Sequence, residues 1–480
     1  MPADRRAIRN APQLITYPDS LGGTLAGVAE LLEGPLRASF GGVHVLPPFP
    51  SSGDRGFAPI DVRSIDPAFG GWDDLRRIGH RFDLALDLIV NHVSRRSAPF
   101  VDFERHGRRS PYADLFLTLD KVWPAGEPPP QDVARVFKRR PRPYSDYRIA
   151  DTGELERVWT TFGPDEPSEQ VDIDVRSPLA RRMIADLLAF FAEQSVRLVR
   201  LDAVGYVVKR AGTSCFMVEP EIGDVLRWIA GVAHEHGLEL LTEVHGDVPM
   251  QRRLAEDSWA YDFALPGLVL HAVLTGSADH LVRHLRTAPR RIVTTLDSHD
   301  GIPLQPDLAG ALPLDGVRLL ASAAVQAGGN LSRVYTADGL PDPAFDAHQA
   351  NCTWYGAAGG DDDAFLLSRA IQLFAPGIPQ VYYVGLLAGD NDPAAVARTG
   401  EGRAINRHDY TAEEIADALQ RPVVRRQLEL LELRAAHPAF EGALSVEGGD
   451  GRLRLAWENG DARCVLDADL QRRRWLLDAS

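Results

Sequence analysis

The chain has 480 residues, of which 45% are hydrophobic, 25% charged and 8% aromatic, a composition that supplies ample apolar material for a large globular core. Its 67 acidic residues outnumber 52 basic ones, leaving a net charge of −15; a field of that sign repels polyanions, which excludes nucleic acid and anionic membrane surfaces as expected partners but not a small anion met by a local cluster of cations. Three cysteines (Cys215, Cys352, Cys464) without metal-ligand spacing, a polar start at Met1-Pro-Ala-Asp-Arg-Arg and no apolar run of membrane-spanning length predict no disulfide framework and no zinc site, in a cytoplasmic protein.

In chain order, short apolar runs that end in polar residues alternate with amphipathic stretches. Strands are predicted over 14–17, 43–46, 84–90, 196–201, 238–244, 260–265, 292–296 and 380–384, with helices between most of them, for example over 179–194 and 222–236. Near-continuous apolar runs of this length suit parallel strands buried on both faces, and eight of them separated by helices predict an α/β fold, a (β/α)8 barrel. Two intervals exceed a simple crossover: residues 91–176 after the third strand, Pro-rich and basic, and residues 301–360 after the seventh, rich in Gly, Asp and Pro. The expected organisation is a barrel over 1–90, 177–300 and 361–439, insertions over 91–176 and 301–360, and a small β appendage over 440–480. Insertions at the carboxyl ends of barrel strands lie where barrel active sites are built.

Four strand ends deliver polar residues as their apolar runs stop: Asp87-Leu-Ile-Val-Asn91-His92, Arg200-Leu-Asp202-Ala-Val-Gly205-Tyr206, Glu243-Val-His245 and Asp297-Ser-His299-Asp300-Gly301. Three carboxylates with Arg and His at one rim form the constellation that glycosidic bond chemistry requires. A retaining displacement uses an ionised carboxylate nucleophile and a protonated carboxyl about 5–5.5 Å away. Arg200, two residues before Asp202 on the same strand face, favours the ionised form by charge proximity. Asp87 and Asp297 read as structural, and Asp361-Asp-Asp reads as a helix start rather than a calcium loop.

These four segments resemble the four sequence regions of the α-amylase clan, glycoside hydrolase family 13. The resemblance implies that Asp202 is the nucleophile, Glu243 the general acid/base and Asp300 the transition-state stabiliser, with Arg200, His92 and His299 framing the sugar. Further segments, among them Gln13-Leu-Ile-Thr-Tyr-Pro-Asp, Gly212-Thr-Ser-Cys-Phe, Tyr261-Asp-Phe-Ala-Leu-Pro and Gln380-Val-Tyr-Tyr-Val-Gly, resemble the sucrose phosphorylase subfamily over nearly the whole chain. That likeness adds Asp54 and Arg403 to the glucosyl subsite, and implies glucosyl transfer to inorganic phosphate with retained configuration. Arg140 stands where the subfamily carries an arginine for phosphate.

Two departures from the subfamily pattern add possible positive charge on the acceptor side. Arg139 replaces a proline, and His348, within Phe345-Asp346-Ala347-His348-Gln349, replaces a tyrosine. This combination resembles the members whose leaving group is fructose 6-phosphate, so the expected activity is phosphorolysis of sucrose 6'-phosphate. Arg139, Arg140, His245, Asp346, His348 and Gln349 then serve as acceptor and phosphate contacts. No metal or cofactor is implied, and the expected partners are a sugar phosphate and inorganic phosphate. The alternatives are phosphorolysis of sucrose, glucosylglycerol or glucosylglycerate, a hydrolase or transglucosidase, and a non-catalytic carbohydrate-binding relative. Lys138–Arg142 also reads as a solvated basic turn.

Overall fold

The computed structural model describes residues 7–335 and 345–480; the polar N-terminal residues and 336–344 of the second expected insertion lie outside the described residues. Eight parallel strands close into a barrel: β1 (Gln13–Thr16), β2 (Gly42–Val45), β3 (Asp83–Ile89), β4 (Val196–Asp202), β5 (Glu239–Thr242), β6 (Trp259–Asp262), β7 (Ile292–Thr294) and β8 (Ile378–Tyr382), each paired with its neighbours in chain order and β8 with β1. Every predicted strand is present, and the barrel with its C-terminal sheet matches the expected fold. Four predicted strands end two or three residues early, β5, β6, β7 and β8, and at two of them a helix begins. Beyond β6 the chain enters the helix Ala264–Thr275, because the Asp262 carboxylate accepts the free Leu265 N–H at 3.0 Å and so favours a helix start over continued pairing. Beyond β8 a short helix spans Tyr383–Leu386.

Side chains in a strand alternate between faces, so residues two apart share one. Ala85, Leu198, Leu241, Tyr261, Val293 and Ile378, from six strands, meet Ile8 in an apolar cluster that fills the barrel floor. Two residues further along β3 and β4 come Asp87 and Arg200, which are register partners, and two further along β4 comes Asp202. The same spacing from Leu241 reaches Glu243 at the end of β5. The period of 2 thus stacks an apolar tier beneath a charged one and delivers the carboxylates at the carboxyl rim. On the outer face Leu14, Val43, Leu84, Leu86, Val199 and Leu201 are buried beneath the surrounding helices.

The segment after β3 builds its own core from Phe100, Phe103, Phe116, Tyr147, Val158, Val171 and Ile173, with hairpin strands Tyr144–Arg148 and Leu155–Trp159. It is tied to the barrel where His92–Ser94 pairs with Gln170–Asp172. The segment after β7 is not irregular, as Gly, Asp and Pro content suggested. It carries the thirteen-residue helix Leu314–Gln326, whose Val317, Leu320, Ala321 and Ala324 are buried at helical spacing, and a small antiparallel sheet containing Asn330–Arg333 and Ala347–Asn351. Asp361 caps the helix Asp362–Phe374. The C-terminal sheet of Ala443–Gly449, Arg452–Asn459, Ala462–Asp469 and Arg474–Ala479 docks through Trp457, whose Nε1 donates to Phe374 O at 2.8 Å. No described helix is long and apolar enough to cross a membrane.

One buried ion pair joins these parts. The Lys209 ammonium, from the loop after β4, donates to Asn91 Oδ1 at 2.7 Å and Asp172 Oδ2 at 2.5 Å. Asp172 also accepts from Thr161 N and Oγ1. Lys209→Met leaves a buried carboxylate without its cation, so a loss of about 3–5 kcal/mol is expected. It is measured as a lower urea midpoint, and a midpoint equal to wild type would contradict this account.

Candidate active site

Above the apolar floor the charged tier is organised by one guanidinium. Arg200, 2% exposed, donates through Nη1 to Asp87 and, at 3.0 Å, to Asp202 Oδ1, while its Nη2 lies 3.0 Å from Glu243 Oε1. Asp87 is held from its other side by His44 Nε2 at 2.7 Å, which gives it the structural place expected of it. Behind a nucleophile-type carboxylate, such an arrangement sets direction as well as charge: Asp202 and Glu243 share one cation and are thereby held side by side. Ala203 has a left-handed backbone (φ 53°), and its N–H meets Glu243 Oε2 at 2.9 Å. Burial and the neighbouring Glu243 raise the Asp202 carboxyl well above its ordinary range against the opposing pull of Arg200.

Asp300 is the opposite case. Although burial disfavours its charge, Arg403, Arg200 and Arg407 hold it well below the usual carboxylate range. Arg403 Nη1 lies 2.7 Å from Asp300 Oδ1 and 3.8 Å from Asp54 Oδ2. Against the effect of desolvation, Arg407 and Arg403 also keep Asp54 below its ordinary value. Asp54 and Arg55 both adopt left-handed backbone (φ 44° and 46°), a conformation that costs about 1–2 kcal/mol per residue. Arg55 offsets it through Asp19 at 2.8 Å, Asp409 at 3.1 Å and the Tyr17 ring at 4.3 Å. His299 stacks flat on Phe57 (5.0 Å, 1°), and burial lowers its pKa to about 3, so the ring is neutral. His92 donates from Nε2 to Phe57 O at 2.8 Å, and burial lowers it too.

A cavity enclosing about 600 Å³, its mouth included, brings together Asp54, His92, Asp202, Glu243, His299, Asp300 and Arg403 with Arg139, His245 and Gln349. Arg200 lies beneath, covered by the carboxylates it binds. Arg139 reaches the cavity beside Tyr206, to whose hydroxyl it is hydrogen-bonded. His245 and Gln349 meet at 3.2 Å between their Nε2 atoms, and Arg403 Nη2 donates to Gln349 Oε1 at 3.3 Å. Glu243, His245 and Asp300 present ligand-type atoms within 4.8 Å of one another. The two carboxylates are, however, already engaged by Arg200 and Arg403, which a metal ion would have to displace.

Three of the expected acceptor residues do not line the cavity. Arg140 points away from it, into the first insertion, where it bonds Ser145, Thr160, Asp165 O and Glu166; consecutive side chains of this loop face opposite ways, and only Arg139 faces inward. His348 is fully buried one strand position from Gln349, its Nδ1 donating to Gln305 O at 2.5 Å. Burial, followed by Arg139 and His245, lowers its pKa well below the ordinary value, so His348 is a neutral ring rather than the expected cation. Asp346 pairs with Arg333 on the neighbouring strand. Residues that sequence reasoning gave no role also enter. Arg407 donates from Nε to His299 O at 2.9 Å and lies 3.4 Å from Asp54 Oδ1; its spacing of four from Arg403 was the available signal. Phe57, Phe162, Gln170, Tyr206 and Phe216 complete the walls, and nothing in the sequence marked Asp307, the partner of His245.

Residues 6–254 match the family model for the α-amylase catalytic domain. The chain is 50% identical over 474 residues to a sucrose 6(F)-phosphate phosphorylase of Thermoanaerobacterium thermosaccharolyticum, covering 98% of this chain and 97% of the relative. It is 41% identical to a glucosylglycerol phosphorylase of Marinobacter adhaerens, covering 96% and 95%. The crystal structure of sucrose 6F-phosphate phosphorylase from Thermoanaerobacter thermosaccharolyticum superposes with a TM-score of 0.97 at 49% identity, over 99% of this chain and 97% of that one. A barrel rim with three carboxylates around one buried arginine, and relatives matched end to end, lead to one assignment: the chain belongs to the α-amylase family, in its group of glycoside phosphorylases.

Proposed function

We propose that this protein catalyses the phosphorolysis of sucrose 6'-phosphate to α-D-glucose 1-phosphate and D-fructose 6-phosphate, with retention at the anomeric carbon. The observation that carries the reading is Arg139, a guanidinium that lines the same cavity as the carboxylates, where a neutral fructosyl leaving group would have no need of a cation. The 50% identity to a relative named for that activity supports it. Its chemistry needs no metal or cofactor. The Asp202 carboxylate attacks the anomeric carbon as the fructosyl oxygen leaves with the proton of Glu243, giving a β-glucosyl-enzyme. A phosphate oxygen then attacks the same carbon, Asp202 departs, and the phosphate proton passes to Glu243. The first step requires Asp202 ionised and Glu243 protonated. Asp300, kept ionised by Arg403, stabilises the positive charge that develops on the sugar ring.

On the acceptor side, Arg139 offers a planar fork matched to a phosphoryl group. Arg140 supports it from behind by anchoring the loop. Buried His348 Nε2 has no hydrogen-bond partner among the described residues. Three buried, unpaired cysteines support a reducing, cytoplasmic location.

The decisive assay supplies inorganic phosphate with either sucrose or sucrose 6'-phosphate and measures α-glucose 1-phosphate. Preference for the phosphorylated sugar is expected, whereas preference for sucrose overturns the acceptor assignment while keeping the mechanism. Asp202→Ala is expected to abolish turnover. Glu243→Gln should lower kcat about 10²–10⁴-fold with sucrose 6'-phosphate and far less with α-glucosyl fluoride, whose leaving group departs unprotonated; equal losses would remove Glu243 from the acid role. Arg139→Ala removes a charge-assisted hydrogen bond of about 1.5–3 kcal/mol. The Michaelis constant for sucrose 6'-phosphate should therefore rise by one to two orders of magnitude and that for sucrose by much less, and parallel changes would show that Arg139 does not read the phosphate.

A further inference from the structure

Residues Gly402–Asn406 form a short 3₁₀ helix whose carbonyls are held from outside it. Asn330 Nδ2 donates to Gly402 O at 2.8 Å, and Asp392 N donates to Ile405 O at 2.8 Å. The buried Tyr382 hydroxyl, at the end of β8, donates to Asn406 O at 3.0 Å. A backbone fixed in this way aims its side chains at the turn after β7. Arg403 meets the Asp300 carboxylate, Asn406 Nδ2 donates to Ser298 O at 3.0 Å, and Arg407 Nε donates to the next carbonyl, His299 O. Within the turn, Gly301 N closes on Ser298 O at 3.0 Å and Asp300 N on Ser298 Oγ at 3.2 Å. Gly301 runs so close to the strand Ala347–Asn351 that a Cβ there would collide with Ala350 O.

We infer that Asn406 is a positioning residue for Asp300. The Arg403–Asp300 ion pair cannot place the carboxylate by itself, because attraction to Arg403 is equally satisfied if Asp300 moves toward the guanidinium and away from the sugar. Something has to hold the backbone from which the Asp300 side chain leaves. Each peptide unit is planar, so Asn406 on Ser298 O and Arg407 on His299 O fix two successive planes and thereby the Asp300 Cα between the second plane and the turn's own closure. Ser298 O accepts from Gly301 N and from Asn406 Nδ2, which occupies both of its lone pairs. Asn406 is 1% exposed, and its Oδ1 has no partner among the described residues. The amide therefore serves as a donor only. Turned over, it would set Oδ1 against Ser298 O, so one orientation is imposed.

The inference rests on Asp300 serving a retaining glucosyl transfer, not on which acceptor the enzyme prefers. Asn406→Asp keeps the shape of the side chain and replaces its donor with an acceptor facing Ser298 O. The full chain is assayed with inorganic phosphate and two donors, α-glucosyl fluoride and the sugar the wild type prefers, well below the melting temperature of the variant. Misplacing a catalytic group by about 1 Å lowers a rate about 10²-fold, so kcat is expected to fall by about that factor. Because Asp300 acts on the transition state, kcat/KM should fall with kcat. The loss should be the same for both donors, since charge develops on the ring whichever group leaves, whereas Glu243→Gln spares the fluoride. A merely structural asparagine would lower the Tm and leave kcat of the folded variant unchanged. That result overturns the proposal, and so does a loss confined to the sugar donor. If Asn406→Asp does not fold, Asn406→Ala, which removes the donor without adding a charge, is judged by the same criteria. Wild type inert toward α-glucosyl fluoride refutes the glucosyl-transfer reading and the role of Asn406 with it; active wild type beside an unimpaired variant refutes the role of Asn406 alone.

Discussion

A guanidinium buried beneath three carboxylates is the constraint on which the rest of the rim depends. Arg200 binds Asp87, Asp202 and Glu243 at once, and removing its charge would leave carboxylates facing each other in a site of low dielectric. Such groups are tolerated in a barrel only when paired. Because Arg200 stands directly opposite a register partner of opposite charge, Asp87, the pairing is built into the barrel itself. No loop has to close to make it. The loops are left to supply what varies between acceptors.

The same logic extends outward. Arg403 and Arg407 bridge Asp54 and Asp300, so the far wall of the cavity presents ionised carboxylates that are already satisfied in charge. Arg139 brings positive charge to the cavity. In a chain of net charge −15, attraction of a phosphate must come from such local geometry, because the long-range field opposes it. The buried Lys209–Asp172 pair holds the first insertion, and with it the Arg139 loop, in register with the barrel.

Much of the site was legible because strand ends carry period and chemistry together. Asp202, Glu243 and Asp300 follow apolar runs at the point where a parallel strand leaves the barrel, and a charged residue there has few physical alternatives to a place at the rim. The predicted strand at 260–265 went astray for a local reason, since Asp262 caps a helix and Ala264 and Leu265 are as apolar in a helix as in a strand. The helix Leu314–Gln326 was hidden in a segment whose overall composition was dominated by glycine and proline on either side of it.

By itself the sequence determined the barrel, the order of its strands and the three carboxylates with their arginine, because backbone alternation and the expense of burying charge act over a few residues and leave a local signature. Tertiary structure alone decided which of two neighbouring loop residues meets the cavity. Arg139 faces inward while Arg140 is spent on Glu166 and Thr160, and Gln349 lines the cavity while His348 is buried and neutral. It also decided that Asp307, 62 positions from His245 in the chain, stands behind that ring. Such choices depend on the direction of a side chain and the charges around it, and both are set by packing between segments that the chain itself keeps far apart.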